Sequence, residues 1–97
     1  MVLFLIRHTH SPEGCPCSKG VEAAREFWES LSEQNASKVG VRIIGSYISP
    51  TPTEHALVLV VDAEDRGKVE AFTSNRLALG ETKITPAWTI KEAVERH

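Results

Sequence analysis

Cysteine is scarce in this 97-residue chain, and its two copies fall in one tripeptide, Cys15-Pro16-Cys17. A disulfide between such near neighbours would constrain little of the unfolded chain, so a cross-braced extracellular scaffold is excluded. Thiols, metal ligands or a redox pair are the remaining roles. Charge of one sign is also lacking: 11 basic and 13 acidic residues are mixed along the chain and leave a net charge of −2. No basic stripe exists to displace counterions from a phosphate backbone, which argues against nucleic acid as a partner. Long apolar runs are missing too. The opening stretch Met1 to Ile6 is cut off by Arg7 and His8, far short of a signal-peptide core or a membrane span. No membrane association is therefore expected, and a cytoplasmic location is. The chain has no glycine-rich phosphate loop, no serine-elbow motif and no Cys-x-x-Cys pair.

What is present is the composition of an ordinary globular protein, 41% apolar and 25% charged. At this length a single domain over residues 1–97 is the economical reading. Val2 to Thr9 alternates Val2, Phe4, Ile6 and His8 with Leu3, Leu5, Arg7 and Thr9, which predicts a strand buried on both faces for most of its length. Ser11 to Gly20 gathers turn formers and reads as a loop, with Ser18 placed to cap a helix over Val21 to Glu33. After a polar break at Gln34 to Lys38, Val39 to Ile48 predicts a second strand with a bulge at Gly45. The prolines of Ser49 to Thr53 make a connection to His55–Val61, an apolar run expected to be a central strand. Asp62 and Asp65 resemble the start of a helix over Ala63 to Leu77. Beyond Gly80, Thr82 to Trp88 contains Pro86 and reads as an edge strand, followed by a short helix over Ile90 to Arg96.

This is a βαββαβ order, which predicts an α+β, ferredoxin-like domain: a four-stranded antiparallel sheet with two helices on one face. Strands apolar on both sides, Val2 to Ile6 and Ala56 to Val61, leave the second face in need of cover. A second copy of the sheet is the simplest supply, so a homodimer is expected. In element order, in length and in its Thr85-Pro86 ending after a basic-polar strand, the chain resembles the dimeric α/β-barrel superfamily. That resemblance implies a dimeric α/β barrel. Its members range from muconolactone isomerases to antibiotic-biosynthesis-type monooxygenases, so it implies no single activity.

The feature that stands apart from the fold is His8-x-His10 followed by Cys15 and Cys17. Imidazole with thiolate is the donor mixture that suits zinc or copper. His8 and His10 share one strand face about 7 Å apart, from which two imidazoles can converge on one ion. In the 4-1-3-2 antiparallel strand order expected here, the end of the first strand meets the start of the third, and His10 approaches His55. Glu13 and Glu54 lie near the same rim. The candidate metal ligands are therefore His8, His10, Cys15, Cys17 and His55, with zinc or copper as the ion. A His, His, carboxylate set would instead suit non-haem iron. Two other functions stay open: a cofactor-free monooxygenase or isomerase with His8 or His55 as general base, and a structural or regulatory dimer with no site. Trp28, Trp88, Phe27, Phe72 and Tyr47 could line a pocket for a small-molecule ligand, though aromatics at such spacing usually form core. Arg7, opposite the histidines, is expected in a salt bridge at the sheet end.

Overall fold

Side-chain alternation along the opening run becomes a strand with one covered face. In the computed structural model, which describes residues 2–77 and 80–96, β1 spans Val2–His10. Phe4, Ile6 and His8 are buried, whereas Leu5 and Arg7 face outward. A 3₁₀ turn at Pro16–Lys19 leads to α1 (Val21–Ser30) and the short α2 (Glu33–Ser37). Then come β2 (Val41–Pro50), β3 (His55–Ala63), α3 (Arg66–Arg76), β4 (Glu81–Ala87) and α4 (Ile90–Arg96). The strands form one antiparallel sheet in the order β2-β3-β1-β4. This is the expected α+β, ferredoxin-like arrangement.

The core lies between the sheet and its helices. Phe4 and Ile6 of β1 and Leu57, Leu59, Val61 and Ala63 of β3 meet Val69 and Phe72 of α3, with Leu31 and Ala36 from the α1–α2 region. Residues as buried as Ile6, Leu59, Val61, Val69 and Phe72 each contribute about 1.5–3 kcal/mol through removal of apolar surface from water. The face opposite, with Leu3, Leu5, Val58 and Val60, is not covered to the same degree, and Leu5 is 39% exposed. Burial of β1 on both faces is thus not met within one chain.

Several boundaries depart from the periodicity, each for a local reason. Ser18 does not cap α1. Its hydroxyl donates to the Cys15 carbonyl at 2.8 Å, and Gly20, at φ 117°, stands at the N-cap position. The first helix stops at Ser30, because Ser32 accepts from the Asn35 amide at 3.3 Å and starts a new helix. The polar segment beyond it is therefore helical, and Ala36 buries its methyl in the core. Asp62 stays in β3, paired with Arg42 at 3.1 Å, while Asp65 caps α3 by accepting from the Lys68 amide at 3.0 Å. The bulge expected at Gly45 is present as a register shift between Ile43 and Gly45. Pro86 sits on edge strand β4, the kind of strand in which proline is tolerated.

Candidate metal centre

The β1–β3 register carries the core pattern straight into a polar cluster. Ile6 pairs with Leu59, His8 with Leu57 and His10 with His55, so the face that buries Phe4 and Ile6 ends in imidazoles. The loop after β1 folds back over this end. The Gly14 amide donates to the Ser11 carbonyl at 3.1 Å, the Cys15 amide to Pro12 at 3.3 Å and the Ser18 amide to Cys15 at 3.0 Å. These turns put the Cys15 side chain inside, where it is 4% exposed.

A ring nitrogen of His10, the Cys15 Sγ and a ring nitrogen of His55 lie within 4.8 Å of one another. Zinc, with bonds of about 2.1 Å to nitrogen and 2.3 Å to sulfur, holds tetrahedral donors about 3.4–3.8 Å apart, so a side-chain shift of about 1 Å closes the set. The His10 and His55 rings meet edge-on, with centroids 5.5 Å apart at 74°. His8 stands behind His10, with centroids 5.1 Å apart. Both its nitrogens are engaged: Nδ1 lies 2.8 Å from Thr82 Oγ1 and Nε2 lies 3.0 Å from His10 Nδ1. Among the described residues, His10 Nε2 is a buried side-chain nitrogen that has no hydrogen-bond partner. A buried polar atom left bare costs about 1–3 kcal/mol, and a cation is one group that such a lone pair can serve.

Cys17 lines the same cavity. Phe27, Trp28, Ile48, Pro50 and Leu57 supply apolar walls to a cavity of about 180 Å³. This dry setting holds the His8 and His10 pKa values below the ordinary 6.5, through burial first and the neighbouring imidazole second. For His8 a backbone hydrogen bond to Glu81 acts the other way. Burial, then the contact with Cys15, pushes the Cys17 thiol up. Neutral imidazoles with lone pairs and softly polarisable sulfur are metal-donor chemistry, and the residues present fit an N,N,S ion site.

Residues 2–97 match a family described as Domain of unknown function (DUF3303). The chain belongs to the DUF3303 family. No curated protein matches it. Among solved structures, this DUF3303 domain is similar to a protein of Galdieria sulphuraria, with TM-score 0.60 and 16% identity over 91% of this chain and 46% of that one. The chain thus spans about half the length of that protein. An uncharacterised protein of Thermotoga maritima matches with TM-score 0.58 and 15% identity, over 90% of this chain and 98% of that one. The ACT domain from a GTP pyrophosphokinase of Chlorobium tepidum matches with TM-score 0.55 and 9% identity, over 89% and 97%. At these identities the likeness concerns the fold alone.

Of the five residues expected as ligands, the DUF3303 fold brings His10, Cys15 and His55 together, sets Cys17 at the cavity wall and places His8 behind His10. Glu13 is exposed. Glu54 pairs with Arg7 at 4.0 Å, the sheet-end salt bridge expected for Arg7. The five aromatics do not form one pocket. Phe27 and Trp28 wall the His–Cys cavity, Phe72 is core, Tyr47 lines a separate groove with Trp28, and Trp88 stacks under Arg96 at 4.2 Å. Thr82 was not singled out by sequence reasoning. Its one signal is its place opposite His8 on a neighbouring strand.

Proposed function

We propose that this domain binds one transition-metal ion, zinc or copper, through His10, Cys15 and His55, with Cys17 as the fourth donor. The bare, buried Nε2 of His10, a residue grouped with a second imidazole and a thiol, carries this reading. The three donors come from β1, the following loop and β3, so an ion would tie the loop to the sheet. Non-haem iron fits less well: among the described residues no carboxylate joins the His10, Cys15 and His55 group, Glu13 is exposed and Glu54 faces Arg7 at 4.0 Å. The enzyme alternative requires room for a substrate beside the histidines. A cavity of about 180 Å³ is smaller than the roughly 300–1,000 Å³ of ordinary ligand pockets, so it favours an ion.

The test is metal analysis and titration on protein purified without a histidine tag. One ion per chain is expected, and cobalt should give a thiolate charge-transfer band that disappears in Cys15→Ser. Absence of stoichiometric metal, with a melting temperature unmoved by zinc, copper or nickel, overturns the proposal.

The same reading takes a second copy of the chain as partner, its sheet packed on the face that carries Leu3, Leu5, Val58 and Val60. Stacked sheets sit about 10 Å apart and cover each other's apolar residues, forming the dimeric barrel. The setting that goes with this reading is the cytoplasm, where the free Cys15 and Cys17 would be kept reduced and available to an ion. Sedimentation equilibrium should show a dimer that Leu5→Glu converts to monomer; a wild-type monomer at tens of micromolar would count against the partner.

A further inference from the structure

The His8–His10 contact has a direction. On the β4 side, His8 meets Thr82 Oγ1 through Nδ1 at 2.8 Å. The Thr82 hydroxyl donates to the Leu77 carbonyl at 3.5 Å, which leaves its lone pairs free to accept. The Leu77 carbonyl can only accept, so with the Thr82 hydrogen committed to it, the proton between Thr82 and His8 is the one on His8 Nδ1. In a neutral ring the other nitrogen is then an acceptor, and His8 Nε2 takes a proton donated from His10 Nδ1, 3.0 Å away. That assignment strips His10 Nε2 of hydrogen, and Nε2 is the buried atom without a partner.

We propose that His8 and Thr82 are positioning residues: they form a relay that fixes His10 in the Nδ1–H tautomer and so presents its Nε2 lone pair to the ion. The consequence for affinity rests on the metal reading above; the relay itself belongs to the metal-free protein. Ligating histidines are oriented in this way when their second nitrogen donates to a fixed acceptor, and loss of that acceptor costs about 10–100-fold in metal affinity. Here the acceptor is another imidazole, itself anchored to the edge strand. His8 thereby has a role without being a ligand.

The test has a metal-free arm and a metal arm. Long-range proton–nitrogen NMR correlation of ¹⁵N-labelled protein in chelator at pH 7.5 reads the tautomer of each ring. The expected result is a protonated Nδ1 and a bare Nε2 on His10; a proton on His10 Nε2 overturns the relay. In the metal arm, His8→Phe removes the acceptor and should weaken cobalt binding about 10–100-fold. His8→Gln keeps an oxygen facing His10 and should restore most of the affinity and the wild-type tautomer. Equal affinity in wild type and His8→Phe overturns the relay, and the wild-type spectrum decides it even if His8→Phe fails to fold. A wild-type protein that shows the expected tautomer yet takes up no cobalt, zinc or copper would sink the metal reading and leave the relay standing.

Discussion

Gly80 sits where β4 begins, at φ +85°, against the end of β1. A methyl group added there would overlap the Thr9 carbonyl oxygen and come within 2.8 Å of the His10 Cβ. The backbone of an inner strand cannot yield as a flexible side-chain tip would. Gly80→Ala therefore carries two costs: about 1–3 kcal/mol for placing a side chain in the left-handed region, and about 1–3 kcal/mol for forcing the overpacked contact apart. Gly20 is the internal control. It too has a positive φ, 117°, but an added Cβ meets nothing within 4 Å, so Gly20→Ala should show the strain alone. Urea unfolding followed by circular dichroism separates the two. Gly80→Ala is expected to lose about 2–6 kcal/mol, a fall in melting temperature of at least about 10 °C for a domain of this size. Because the contact bears on His10, metal affinity should fall as well, and it should be unchanged in Gly20→Ala. If Gly80→Ala proves no less stable than Gly20→Ala, the close approach of Gly80 to β1 is refuted.

The lowered pKa values of His8 and His10 set a pH dependence. Between the folded pKa and 6.5 the unfolded chain binds more protons than the native one, so stability is present above 6.5 and declines as pH falls through the folded values. The urea midpoint should drop between pH 7 and pH 5, and less so in His8→Gln; a level midpoint contradicts the burial argument. Cys17→Ser decides between a closed four-donor site and an open three-donor one: a loss of zinc affinity of at least tenfold marks Cys17 as a ligand, and no loss marks it as cavity wall. Phe72→Ala empties a fully buried position of α3 and should cost about 3–5 kcal/mol in chemical denaturation. A cost near 1 kcal/mol would mean that the core collapses around the gap.

Much of this arrangement was legible because β1 and β3 announce themselves. Alternation gave the strand faces, and antiparallel order alone placed His10 opposite His55, as the register shows. The rest depended on interactions that periodicity does not encode. The stop at Ser30 comes from a single serine hydroxyl at Ser32, which competes with helix continuation. The separation of His8 from the donor cluster depends on Thr82 opposite it, a partner 74 residues away that only the fold supplies. The choice of Cys15 over Cys17 as the donor nearest the histidines follows from three loop hydrogen bonds that turn one thiol inward. In sequence, Glu13 and Glu54 lie as near to the cluster as its own members do, yet Glu13 is exposed and Glu54 faces Arg7 at 4.0 Å.

The site and the core are one pattern continued. Phe4, Ile6, His8 and His10 share a face of a single strand, so the burial that stabilises the fold also strips water from the imidazoles. That desolvation keeps the rings neutral, which is the state in which nitrogen can bind a cation. A shift of the β1–β3 register by one residue would turn the histidines to the opposite face and dissolve the cluster together with the core. An imidazole pair at the end of an otherwise apolar strand face is poorly suited to stability alone, since it leaves His10 Nε2 bare. Aliphatic residues there would pack without that cost. The arrangement is intelligible if the energy lost on the empty protein is recovered when an ion is bound.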